Sequence, residues 1–82
     1  MNKINYSIDT RGSMIIGFNG KTAKISGELI MNPPVFYADI KAFNYWEPPF
    51  ENEKITETEK AAIIDFITND SIDKIKTKVI FD

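Results

Sequence analysis

"SMIIGFNGKTAKISGELIM", Ser13 to Met31, is the stretch on which the fold turns. Met14, Ile16 and Phe18 recur at every second position, and a period of two predicts a strand with one buried face. Asn19-Gly20 follows. A two-residue type I′ turn needs positive φ at both positions, and this dipeptide supplies it at low steric cost. Alternation then resumes. Ala23, Ile25, Leu29 and Met31 share one face, and Thr22, Lys24, Ser26 and Glu28 the other. The stretch reads as a β-hairpin. Gly27 interrupts its apolar face, which marks a bulge, a bend, or a place where another side chain crosses the sheet.

Upstream, Asn2 to Ile8 alternates with Ile4, Tyr6 and Ile8 on one side, a further strand, and "DTRGS" (9–13) turns into the hairpin. Downstream, Pro33 and Pro34 cannot donate to a ladder and end the third strand. Val35 to Lys41 forms a fourth strand. Phe36, Ala38 and Ile40 share one face and Val35, Tyr37, Asp39 and Lys41 the other, so either face can be the buried one. Thr56 with Glu59 three residues on is a capping box, and Glu57 and Glu59 suit the positive end of a helix dipole. Ile63, Ile64, Phe66 and Ile67 give the helix its apolar stripe, with Lys60 at its rim, and "TND" around Asn69 is expected to end it. Ile75, Thr77, Val79 and Phe81 alternate in a last strand. The expectation is one α+β domain over residues 1–82. A curled antiparallel sheet of four to five strands carries one helix on one face, in the order β-β-β-β-α-β.

Composition excludes more than it identifies. The chain has 82 residues, a net charge of −2, no cysteine and no histidine. No thiolate site, no imidazole base and no Ser-His-Asp set can be built. The four glycines lack phosphate-loop or dinucleotide spacing, and no calcium-loop spacing appears, so no cofactor and no metal is expected. Scattered basic residues argue against nucleic acid. Lys74, Lys76 and Lys78 fall on one face of the expected last strand, where solvated charge that protects an edge is the plain reading. No segment has the length and apolarity of a membrane span, and the helix lacks a basic face for a membrane surface.

"FNYWEPPFENE", Phe43 to Glu53, is the least regular segment. Pro48 and Pro49 make it a stiff loop after Glu47. Trp46 is either a core anchor or a partly exposed contact residue, since a lone large ring serves both purposes in small domains. Glu47, Glu51 and Glu53 add negative charge beside Tyr45 and Trp46. A rigid acidic and aromatic loop suits docking onto a basic cleft: charge steers the encounter and rings supply affinity. The same acids, with Asp39, could in principle form a hydrolytic pair, but nothing in the sequence brings two of them into one cleft.

The succession Gly27-Glu28, an apolar strand, "WEPP" (Trp46 to Pro49) and "ITETEK" (Ile55 to Lys60) resembles a family of small immunity proteins from bacterial polymorphic toxin systems. The resemblance runs from the "RGSMIIGFNGK" hairpin to the final strand. It implies a cytoplasmic, non-enzymatic inhibitor that binds and neutralises a cognate toxin by occluding its active site or a nearby surface. Gly27, Glu28, Trp46 and Glu47 are the motif positions. Together with the acidic and aromatic loop, this gives Glu28, Asp39, Tyr45, Trp46, Glu47, Glu51 and Glu53 as expected partner-binding residues, facing a toxin with a basic surface. The competing reading is an assembly module that forms a homodimer through a sheet edge.

Overall fold

The computed structural model of the chain describes residues 3–9 and 12–82. Asn2 of the expected first strand, and Thr10 and Arg11 of the expected "DTRGS" turn, lie outside the described residues. Strands β1 (Ile4–Ile8), β2 (Ser13–Phe18), β3 (Lys21–Ile30), β4 (Val35–Ala38) and β5 (Lys78–Phe81) form one sheet in sequence order. The helix α1 (Glu57–Lys74) and a one-turn 3₁₀ helix (Ile40–Ala42) complete the α+β fold. The sheet curls into half a barrel, with α1 lying across its concave side.

The hairpin is as the sequence requires. Asn19 and Gly20 both have positive φ, 49° and 89°. Met14 pairs with Ile25 and Ile16 with Ala23, so the apolar faces of β2 and β3 coincide. Those residues, with Phe18, Phe36, Ala38 and Val79, turn inward against Ile63 and Ile67 of α1 to form the core. The face of β4 that either reading allowed to be buried is the one carrying Phe36 and Ala38. Each fully buried Ile or Phe contributes roughly 1.5–3 kcal/mol, the main force holding so small a sheet closed. Gly27 is where a side chain crosses. A Cβ there would run into the Tyr37 backbone oxygen and sit 2.6 Å from Phe36 Cζ, so the β4 backbone and the Phe36 ring together occupy the space a larger residue would need.

Two expected boundaries move, and one strand pairing differs in direction. β4 stops at Ala38 rather than reaching Lys41, because Asp39 Oδ1 accepts from Lys41 N at 3.0 Å and starts the 3₁₀ turn. The helix does not end at Asn69. Thr68 Oγ1 donates to Ile64 O and Asn69 Nδ2 to Asp65 O, so these polar side chains are satisfied within the helix and do not interrupt it. Ser71 continues the buried stripe for one more turn, and Lys76, with φ 55°, redirects the chain. Lys74 therefore belongs to the helix and Lys78 to the strand, and the three lysines do not share a strand face. Lastly, β1 to β4 pair antiparallel as expected, but β5 lies parallel to β4. Parallel neighbours need a long crossover, and the segment containing α1 provides one.

The helix also ties down the far edge of the sheet. Tyr6 on β1 donates its phenol proton to Asp70 Oδ2 at 2.6 Å and meets Phe66 edge-on, with ring centroids 6.3 Å apart. Burial, reinforced by the Asp70 carboxylate, pushes the Tyr6 phenol well above its usual value. At its other end α1 is held by the anticipated capping box. Thr56 Oγ1 accepts from Glu59 N at 3.1 Å, and Glu59 Oε1 accepts from Thr56 N at 2.9 Å.

Candidate functional site: an acidic band on the outer sheet face

Alternation that buries one face of β3 and β4 presents the other to solvent. Glu28 pairs with Tyr37 across these strands, and Tyr37 is in turn beside Ile80 of β5. Tyr37 is 41% exposed, and Ile30 at the end of β3 is equally so. No described element covers this side, since α1 packs on the opposite, buried face. Next to Tyr37 the surface opens into a groove of about 500 Å³ lined by Gly27, Glu28, Tyr37, Asp39, Lys41 and Asp82, among others. Among the described residues that line it, three side-chain carboxylates stand against one ammonium. The walls are pinned by backbone: Asp39 N donates to Ser26 O, and Asp82 N donates to Ala38 O, both at 2.9 Å.

The segment after the 3₁₀ turn prolongs this band. β4 covers β3 only from Gly27 onward, and the chain then runs along the remainder of that edge. Glu47 N donates to Thr22 O at 2.7 Å, four residues along β3 from the Ser26 carbonyl that holds Asp39. At the strand rise this separates the two attachment points by about 13 Å. An isolated bridge joins Tyr45 to Lys54. Trp46 turns inward, whereas its neighbours Tyr45, 57% exposed, and Glu47 face solvent.

Trp46 is core. It is 1% exposed and stacks on Phe18, with ring centroids 5.8 Å apart and planes 16° from parallel. Its ring therefore offers no surface to a partner, which decides between the two readings of the sequence. Its Nε1 has no hydrogen-bond partner among the described residues. Lys21, from the start of β3, holds the loop shut. Its Nζ lies 5.7 Å from the Trp46 ring centroid and 5.6 Å from that of Phe50, and donates to Glu53 Oε1 at 2.7 Å. That hydrogen bond to Glu53 raises the Lys21 ammonium above its usual value. Glu53 is thus engaged within the fold, while Glu51 is exposed at the turn beyond Pro49.

The seven residues expected to bind a partner are in this way sorted by place. Glu28 and Asp39 both line the groove, and Tyr45 and Glu47 are exposed on the segment whose Glu47 N is bonded to Thr22 further along β3. Trp46 and Glu53 hold the loop, and Glu51 stands apart at its tip. Sequence reasoning missed Tyr37, Lys41 and Asp82 as groove residues. Tyr37, Asp39 and Lys41 did share the second face of the expected fourth strand, a usable signal. Nothing marked Asp82, because its place depends on the parallel pairing of β5. Among the described residues no group of His, Cys, Asp and Glu could hold a metal ion. No described helix is long and apolar enough to cross a membrane.

A protein-family model described as Immunity protein 74 matches residues 3–82, and the chain belongs to that family. No curated protein and no solved structure matches it.

Proposed function

We propose that this member of the Immunity protein 74 family neutralises a cognate bacterial toxin by binding it. The surface used is the outer face of β3, β4 and the Asp39–Glu47 segment. The observation that carries this reading is that Glu28, Asp39 and Asp82 line one groove with an exposed Tyr37, on a sheet face that no other described element covers. Such a face matches a basic surface on the partner. Complementary charge speeds encounter, and exposed rings supply apolar contact at small entropic cost. Tyr45 and Glu47 widen the footprint along β3, and Lys21, Glu53 and Trp46 keep that segment rigid before binding. Docking over or beside the toxin's active site would block it by occlusion. The protein transforms nothing itself, needs no cofactor, and acts in the cytoplasm of the cell that makes the toxin.

The test is complex formation with the toxin encoded by the adjacent gene. Purified together, the two should give a 1:1 complex that survives dilution to micromolar concentration. Glu28→Lys should weaken it by at least about 2 kcal/mol if that carboxylate is desolvated in the contact, whereas Glu51→Lys at the rim should cost well under about 1 kcal/mol. Absence of any complex at micromolar concentration, with self-association growing instead in sedimentation, would overturn the proposal in favour of an assembly module.

A further inference from the structure

We infer that the groove beside Tyr37 is a receptor for one arginine side chain of the partner, an inference that rests on the reading of this face as the docking surface. The occupant follows from what lines the groove. Among the described residues that line it, Glu28, Asp39 and Asp82 outnumber the one cation, Lys41, so an anionic guest is disfavoured and a cation is drawn in. None of Glu28, Asp39 and Asp82 is in an ion pair of the fold: the two found among the described residues are Lys21–Glu53 and Lys60–Glu57.

Arginine fits better than lysine for two reasons of shape. Its planar guanidinium offers donors in a fork that pairs with carboxylates two at a time, and carboxylates stand on strands β3, after β4 and after β5 here. Its flat face also stacks on an aromatic ring, and Tyr37 is exposed and set beside Glu28 by the strand register. An ammonium uses the charge but not the plane. The aliphatic stem of the guest would lie toward Ile80, the next outward residue beside Tyr37. The pinned backbone of Asp39 and Asp82 means that little of the receptor must be ordered on binding.

The experiment needs no toxin at first. ¹⁵N-labelled protein is titrated with N-acetyl-arginine amide, the lysine analogue and the uncharged citrulline analogue, and amide shifts are followed. The arginine probe should saturate, in the millimolar range, with its shifts concentrated on Glu28 and on Tyr37 to Asp39. Lysine should bind roughly fivefold more weakly, and citrulline should leave the groove unmoved. Glu28→Gln, with an otherwise unchanged spectrum, should weaken the arginine probe by about fivefold or more. Shifts scattered over the surface, citrulline equal to arginine, or lysine equal to arginine would each overturn the inference.

The toxin then separates the two readings. If it binds but no single Arg→Lys substitution in it lowers affinity by about tenfold, the receptor falls while the docking face stands. If the toxin does not bind at all while the arginine probe does, the docking reading falls and the groove's preference remains.

Discussion

Replacing Trp46 tests whether the most distinctive residue of the "WEPP" motif works for the fold or for the partner. The ring is 1% exposed, stacked on Phe18 and overlain by Lys21. Truncating such a residue to alanine costs about 3–5 kcal/mol in lost burial and cavity formation. A chain of 82 residues has a total stability of roughly 4–12 kcal/mol. Trp46→Ala should therefore remove about a quarter or more of it and can leave the protein largely unfolded at 37 °C.

Trp46→Phe separates the possibilities. It shrinks the ring but also removes Nε1, a buried donor with no partner among the described residues. Relief of that orphan donor offsets about 1–3 kcal/mol of the loss. The expected net cost is about 1–2 kcal/mol, a fall in Tm of roughly 4–16 °C for a domain of this size. Urea unfolding followed by far-UV circular dichroism measures both variants. Fluorescence of the native protein should be blue-shifted and resist iodide quenching. Affinity of the folded Trp46→Phe protein for the toxin should stay within about threefold of the native value, since rim-like indirect effects are small. A Trp46→Phe protein that unfolds normally yet binds more than about tenfold more weakly would refute the reasoning, because the ring would then touch the partner.

Other perturbations address separate links. Gly27→Ala should cost about 1–3 kcal/mol or more by overpacking, since the added carbon meets the Tyr37 backbone oxygen as well as the Phe36 ring; thermal melting reads it, and an unchanged Tm would refute the close approach of β4 to Gly27. Ser71→Ala should raise stability, by about 1 kcal/mol in urea, because the buried hydroxyl has no hydrogen-bond partner among the described residues and alanine favours helix; a loss of stability would reveal a bond that the hydroxyl makes. Thr56→Ala should cost about 1 kcal/mol through loss of the cap, and Thr56→Ser should restore most of it. For pH, the folded phenol of Tyr6 keeps its proton to higher pH than the unfolded one, whose value is 10.0. Its contribution is therefore complete below about pH 10 and declines as pH rises beyond, when the unfolded chain ionises first. Lys21, also raised, acts in the same direction. Stability measured from pH 7 to 11.5 should fall at the alkaline end, and Tyr6→Phe should flatten that fall.

What the sequence by itself determined is local. The Asn19-Gly20 turn, the alternation of β2 and β3, and the capping box at Thr56 depend on φ preference, on the two-residue period and on a side chain reaching three residues, so a few neighbouring residues suffice to read them. Even Gly27 carried a message, that something would cross there, though not that Phe36 would be it. The length of α1 was misread because Thr68 and Asn69 favour helix ends in general, and only their contacts with Ile64 and Asp65 show that here they stay within the turn. Tertiary structure decided everything that joins distant residues. Trp46 is core because Phe18 and Lys21, more than twenty positions away, close around it. Glu28, Tyr37 and Asp39 share a groove through the pairing of β3 with β4, and Asp82 joins them because β5 returns parallel to β4 after the helix crossover. Alternation says that a strand has two faces; which one meets the core, and which acids stand together on the other, is set by burying the most apolar surface over the whole chain at once.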